Sequence, residues 1–136
     1  MMTTIGDLLG IPFARGGRTR EGMDCLGIVL AGLEVLRPDL ELDDPWEAIR
    51  DDWEAGIRPE VVPPEWEEIA APVACYRPGD VLFVLADGGP NHVALYIGDN
   101  LVLHSMAGAG SGITRLGRIR PKVVKVLRPP AKEASC

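Results

Sequence analysis

Histidine is nearly missing from this chain: His92 and His104 are the two among 136 residues. Any chemistry that needs an imidazole must use one or both of them. Cysteine is scarce as well, at Cys25, Cys75 and Cys136. The odd number and wide spacing argue against a disulfide framework, and the lack of any CxxC pair argues against a zinc ribbon. No apolar run approaches the roughly 20 residues of a membrane helix, so no membrane span is expected. The first residues, Met1-Met2-Thr3-Thr4-Ile5-Gly6-Asp7, have neither a basic n-region nor a long apolar segment. No secretory signal is read there, and the chain is expected to be cytoplasmic as synthesised. Basic residues are outnumbered, giving a net charge of −6, which argues against a nucleic-acid partner. No DxDxDG-type spacing for calcium occurs, and no cofactor is expected.

The length suits one domain with a real core, expected over residues 1–128, with 129–136 as a flexible tail. Charge is uneven along it. Residues 34–68 are strongly acidic, whereas 101–132 carry Arg115, Arg118, Arg120, Lys122, Lys125, Arg128 and Lys132 and no acid. This reads either as two solvated faces or as a basic face that meets an anionic substrate or partner.

A short helix is expected within residues 3–10, capped by Thr3 or Thr4 and stopped by Gly10, with Ile11-Pro12-Phe13 extended after it. Residues 14–22 form a glycine-rich loop. The run from Cys25 to Leu36 is apolar almost all round, as in a buried central helix, and Pro38 ends it. A second helix is expected over 43–56, capped by Asp43 or Asp44 and stopped by Gly56. Residues 57–74 are proline-rich, with a possible helical turn at Glu65–Ala70. The character then changes to β: a turn at Arg77-Pro78-Gly79-Asp80, then strands at Val81–Ala86, Asn91–Gly98, Leu101–Ser105, Ile113–Leu116 and Val123–Leu127. A glycine-rich loop occupies Met106–Gly112. Helices first and an antiparallel meander after them make the fold class α+β, with about five strands.

The chemistry-bearing stretch is Gly22-Met23-Asp24-Cys25-Leu26-Gly27. A helix starting here puts Cys25 in its first turn, where unpaired N–H groups and the macrodipole favour a thiolate. His92 shares a strand face with Ala94 and Tyr96. A three-residue loop, Gly98-Asp99-Asn100, pairs Ala94 with His104 and brings both histidines to one face; a two-residue loop turns His104 away. With the first register, Cys25, His92 and His104 satisfy the nucleophile, base and orienter logic of a cysteine hydrolase, with the thiol pKa lowered and the Cys25 N–H as an oxyanion donor. Residue types alone leave other readings open: a core cysteine, hydrogen-bonded strand histidines, or a Cys25–His92–His104 zinc site.

Phe13-x-x-Gly16-Gly17 with Gly22-Met23-Asp24-Cys25-Leu26-Gly27 resembles the YxxGG…GxDCSG segment of the NlpC/p60 cysteine peptidases. Tyr76-Arg77-Pro78-Gly79-Asp80-Val81 resembles their RPGDL turn. Asn91-His92-Val93-Ala94-Leu95-Tyr96-Ile97-Gly98 with His104-Ser105 resembles their HVGIYIG…HA block. The four motifs stand in order across residues 11–105. The resemblance implies a papain-like fold, Cys25 as nucleophile, His92 as base and His104 in the third polar position. It also makes Asp24, Phe13, Asn91 and Ser105 candidate substrate-binding or oxyanion positions. The implied reaction is hydrolysis of a peptide or isopeptide bond in peptidoglycan stem peptides. The GGR run is similar to the phage-tail branch, with phage tail proteins as partners.

The sequence departs from the motif at Phe13, where many members carry the tyrosine whose hydroxyl serves the oxyanion hole, and at Leu26, where the motif has serine. Segment 37–74 lies between the motifs and reads as an insertion, either a flap or a docking surface. The alternative function is a non-catalytic structural or binding module of a phage-like tail with the same fold.

Overall fold

The computed structural model describes residues 4–42, 66–69, 75–86 and 89–130. A single turn of 3-10 helix, Ile5–Leu8, opens the described chain, and Thr4 caps it in a reciprocal box with Asp7. Strands β1 (Arg18–Thr19) and β2 (Gly22–Met23) form a small hairpin inside the glycine-rich loop. Helix α1 follows at Cys25–Leu36. Strands β3 (Glu67–Ile69), β4 (Val81–Ala86), β5 (Gly89–Gly98), β6 (Leu101–Met106) and β7 (Gly110–Arg115), a short helix α2 (Leu116–Ile119) and strand β8 (Val123–Arg128) complete the order. The expected helix at 43–56 and the tail from 131 lie outside the described residues.

Among the described residues, six strands make one antiparallel sheet in the order β3-β8-β4-β5-β6-β7. The meander runs from β4 to β7, and β8 returns to pair with β4 on the other side. Two expectations are corrected here. A strand, not a helical turn, occupies Glu67–Ile69, because β8 offers it a ladder and Lys125 lies 3.5 Å from Glu68. β7 begins at Gly110, inside the expected loop, and Leu116 starts α2 rather than ending a strand. Among the described residues the sheet has six strands, in keeping with the expected sheet of about five.

Alternation along the strands builds two apolar layers. Val81, Phe83, Val93, Leu95 and Leu103 face α1 and pack with Ile28, Val29 and Leu33. Leu82, Val84, Ala94, Tyr96, Val102 and Val126 face the other way and are covered by Leu116 and Ile119 of α2. At Gly32 a Cβ would come within 2.5 Å of the Leu95 side chain, so glycine is what lets α1 seat closely on β5. The Arg77–Asp80 turn is present as expected. Arg77 N–H donates to the Asp80 carboxylate at 2.9 Å, and Arg128 grips both oxygens of Asp80 at 2.9 Å. That bidentate pair joins the turn to β8 across 48 residues. Cys75, beside this turn, is disulfide-bonded, which the cysteine spacing did not suggest. Among the described residues no helix is long and apolar enough to cross a membrane.

Candidate active site

Asp24 sets the start of α1. Its backbone is extended, and its carboxylate accepts from the Gly27 N–H at 2.7 Å, an N-cap bond. The same carboxylate accepts from the Gly16 N–H at 2.8 Å and from Arg18 Nη1 at 2.9 Å. Arg18 Nη1 also donates to the Gly17 carbonyl. Asp24 is fully buried, so its charge is balanced by these three donors and not by water. The glycine-rich loop is thereby tied to the helix start. Gly27 makes the approach possible, since a Cβ there would sit 2.5 Å from the Gly17 carbonyl oxygen.

Cys25 is the first residue of α1 and is 2% exposed. The backbone N–H groups of Val93, Leu26 and Cys25 itself point at its sulfur and favour the thiolate. Burial outweighs them. With the Asp24 charge adding in the same direction, the thiol is pushed up from 9.0 to about 12. The expectation of a lowered thiol pKa is therefore corrected: desolvation wins over the macrodipole, and Cys25 rests as a thiol.

The hairpin of β5 and β6 carries the two histidines. Leu95 pairs with Leu103 and Tyr96 with Val102, which is the register that the catalytic reading requires. The device differs from expectation. Gly98 pairs with Leu101, so Asp99 and Asn100 form a two-residue turn, with φ of 53° and 62° as in a type I′ turn. An irregularity at Ile97 then shifts the register back by one residue. The result is a hydrogen bond of 2.9 Å between His92 Nε2 and His104 Nδ1, with the rings edge to face at 5.2 Å. His104 Nε2 continues the line to Thr114 Oγ1 on β7, again at 2.9 Å.

His92 is 9% exposed and His104 7%. Burial, and then the neighbouring His104, lower His92 from 6.5 to about 4. Burial lowers His104 as well. Both rings are neutral at pH 7. Their facing nitrogens are spent on one another, so they do not converge on a metal, and no group of three or more His, Cys, Asp or Glu side chains among the described residues could hold one.

The structure brings Cys25 to β5 at the Val93 N–H, one residue from His92. His92 Nε2 is taken by His104, which leaves Nδ1 as the nitrogen with which His92 can serve a thiol. Ser105 is fully buried, and its hydroxyl donates to the Met23 carbonyl at 3.1 Å, bracing β6 against the residue before Asp24. Asp24 and Ser105 are thus fully buried and hydrogen-bonded within the protein. Phe13 is half-buried, and Asn91 lies on β5 beside His92. Leu26 belongs to the core layer under the sheet. Sequence reasoning quoted Gly16 as a motif glycine without its bond to Asp24, and missed Arg18 and Thr114. The last could have been found once His104 was paired with Gly112, because residue 114 then lies diagonally on the same face.

The NlpC/P60 family profile matches residues 10–124, most of the chain and all of this geometry. The chain belongs to the NlpC/P60 family. Members of this family are cysteine peptidases and hydrolases. Among individual proteins, the γ-DL-glutamyl hydrolase of Bacillus subtilis (strain 168) is 30% identical over 115 residues, covering 79% of this chain. The chain spans 23% of that enzyme's length. The NlpC/p60 domain of the peptidoglycan hydrolase SagA superposes with a TM-score of 0.57 at 20% identity, covering 90% of this chain and 91% of that one. The P60 domain of an M. avium subspecies paratuberculosis antigen gives 0.54 at 20% identity, with 92% and 88% covered. These two structures establish the NlpC/P60 fold, and the α+β class expected from the sequence is the one found.

Proposed function

We propose that this chain is a thiol hydrolase that cleaves a peptide or isopeptide bond in peptidoglycan stem peptides, with residues 1–128 as its catalytic unit. The observation that carries the reading is the His92–His104 hydrogen bond, which commits His92 Nε2 and reserves Nδ1 as a base. Cys25 gives its proton to His92 as its sulfur attacks the scissile carbonyl. The tetrahedral adduct collapses, the C–N bond breaks, and His92 returns the proton to the leaving amine. Water, deprotonated by His92, then hydrolyses the thioester. Because thiol and imidazole both rest neutral, the ion pair forms during the reaction rather than before it. The substrate class is supported by the names of the relatives, a γ-DL-glutamyl hydrolase and a peptidoglycan hydrolase.

One observation favours a second reading, a non-catalytic module of a phage-like tail: the thiol is 2% exposed. One experiment separates the two. Purified peptidoglycan is incubated with wild type and with Cys25→Ala, and new amine ends are counted. Hydrolysis predicts release by wild type alone. No release by wild type, or equal release by both, sinks the hydrolase and leaves the binding module.

A further inference from the structure

The line of polar atoms does not stop at His104. Thr114, on the edge strand β7, puts Oγ1 2.9 Å from His104 Nε2. The side chain is half-buried and borders a cavity of about 230 Å³, lined also by Ile113, Arg115 and Arg118.

The direction of the hydrogen bonds follows from what His92 must do. To take a proton at Nδ1, a neutral His92 must carry its own proton on Nε2. That N–H donates to His104 Nδ1, which must therefore be bare. A neutral His104 with a bare Nδ1 carries its proton on Nε2, and that N–H needs an acceptor. Thr114 Oγ1 is the atom in place. Its own hydroxyl proton is left to turn toward the adjoining cavity. In the opposite tautomer of His104, the Nδ1–H would donate to His92, force the His92 proton onto Nδ1, and remove the base.

We propose that Thr114 is a positioning residue that holds His104 in the Nε2–H tautomer, and through it holds His92 with Nδ1 open to the thiol. This rests on the hydrolase reading for the direction of the hydrogen bonds and for the effect on rate; the tautomer itself is measured in the resting protein, without substrate. A buried N–H left without an acceptor is disfavoured more than a paired one, so deleting the hydroxyl shifts His104 toward Nδ1–H.

The test is the ring ¹⁵N spectrum of His104 in wild type, Thr114→Val and Thr114→Ser, recorded with no substrate at pH 7. Wild type and Thr114→Ser are expected to show a protonated Nε2 and a bare Nδ1. Thr114→Val, which keeps the β-branched shape and so the edge strand, is expected to shift the proton toward Nδ1. On purified peptidoglycan, kcat should fall about tenfold in Thr114→Val with KM unchanged, and recover in Thr114→Ser. An unchanged His104 spectrum in Thr114→Val overturns the proposal. So does a shifted tautomer with full kcat. If wild type releases no amine ends while the spectra behave as expected, the hydrolase reading fails and the tautomer assignment stands. Should Thr114→Val fail to fold, Thr114→Ala carries the same spectral expectation.

Discussion

The two sides of the candidate site solve the same problem, burying polar groups, in opposite ways. On the hairpin, three side chains from three strands satisfy one another in a line: His92, His104 and Thr114. At the helix start, Asp24 collects three donors, while Cys25 beside it receives backbone N–H groups that do not offset its desolvation. The hairpin is assembled in the resting protein. At the helix start, burial keeps Cys25 on the thiol side. Under the proposed mechanism, proton transfer has a prepared acceptor and an unprepared donor, and the cost of forming the ion pair falls within the reaction.

Removing the thiol breaks the comparison most severely. Cys25→Ala should lower release of amine ends from peptidoglycan by a factor on the order of 10⁴, with circular dichroism unchanged. Next in size is the cap. Asp24→Ala removes the acceptor shared by Arg18 and the N–H groups of Gly16 and Gly27. It should cost about 3–4 kcal/mol, seen as a fall of roughly 10 °C or more in Tm, whereas Asp24→Asn, which keeps an acceptor, should cost less.

The histidine side sharpens the comparison through pH. The folded pKa of His92, about 4, lies below its unfolded value near 6.5. The unfolded chain thus binds more protons across that window. Stability from His92 is complete above pH 6.5 and is lost as pH falls toward 4, by about 3 kcal/mol in all. The shift at His104 acts in the same direction. Urea midpoints measured between pH 7 and 4.5 should fall less steeply for His92→Gln than for wild type. The smallest effect belongs to the two-residue turn of the β5–β6 hairpin. Asn100 has φ of 62°, so Asn100→Val should cost about 1–2 kcal/mol in urea unfolding, and Asn100→Gly about nothing.

The elements on which the site stands are written locally, and for that reason they could be read. Asp24 before an apolar run, Pro38 after it, and the Arg77-Pro78-Gly79-Asp80 turn are short-range signals. The face shared by His92 and His104 followed from alternation and one choice of register. What escaped the sequence depends on distant chain. The strand at Glu67–Ile69 exists because β8 lies beside it, and two adjacent glutamates give no period-2 pattern. Gly110 and Gly112 signal a loop, yet β6 draws them into a ladder. The thiol pKa escaped for the same reason. A helix terminus can be inferred from sequence, but the layers that bury it cannot.

The pH dependence of Cys25 alkylation tests the resting state of the site most directly. Iodoacetamide labelling of Cys25, followed by peptide mass spectrometry from pH 5 to 11, should give a rate that keeps rising with pH and shows no plateau below pH 10. A plateau reached below pH 8 would contradict a neutral thiol beside a neutral imidazole, and would mean that Cys25 and His92 already rest as an ion pair.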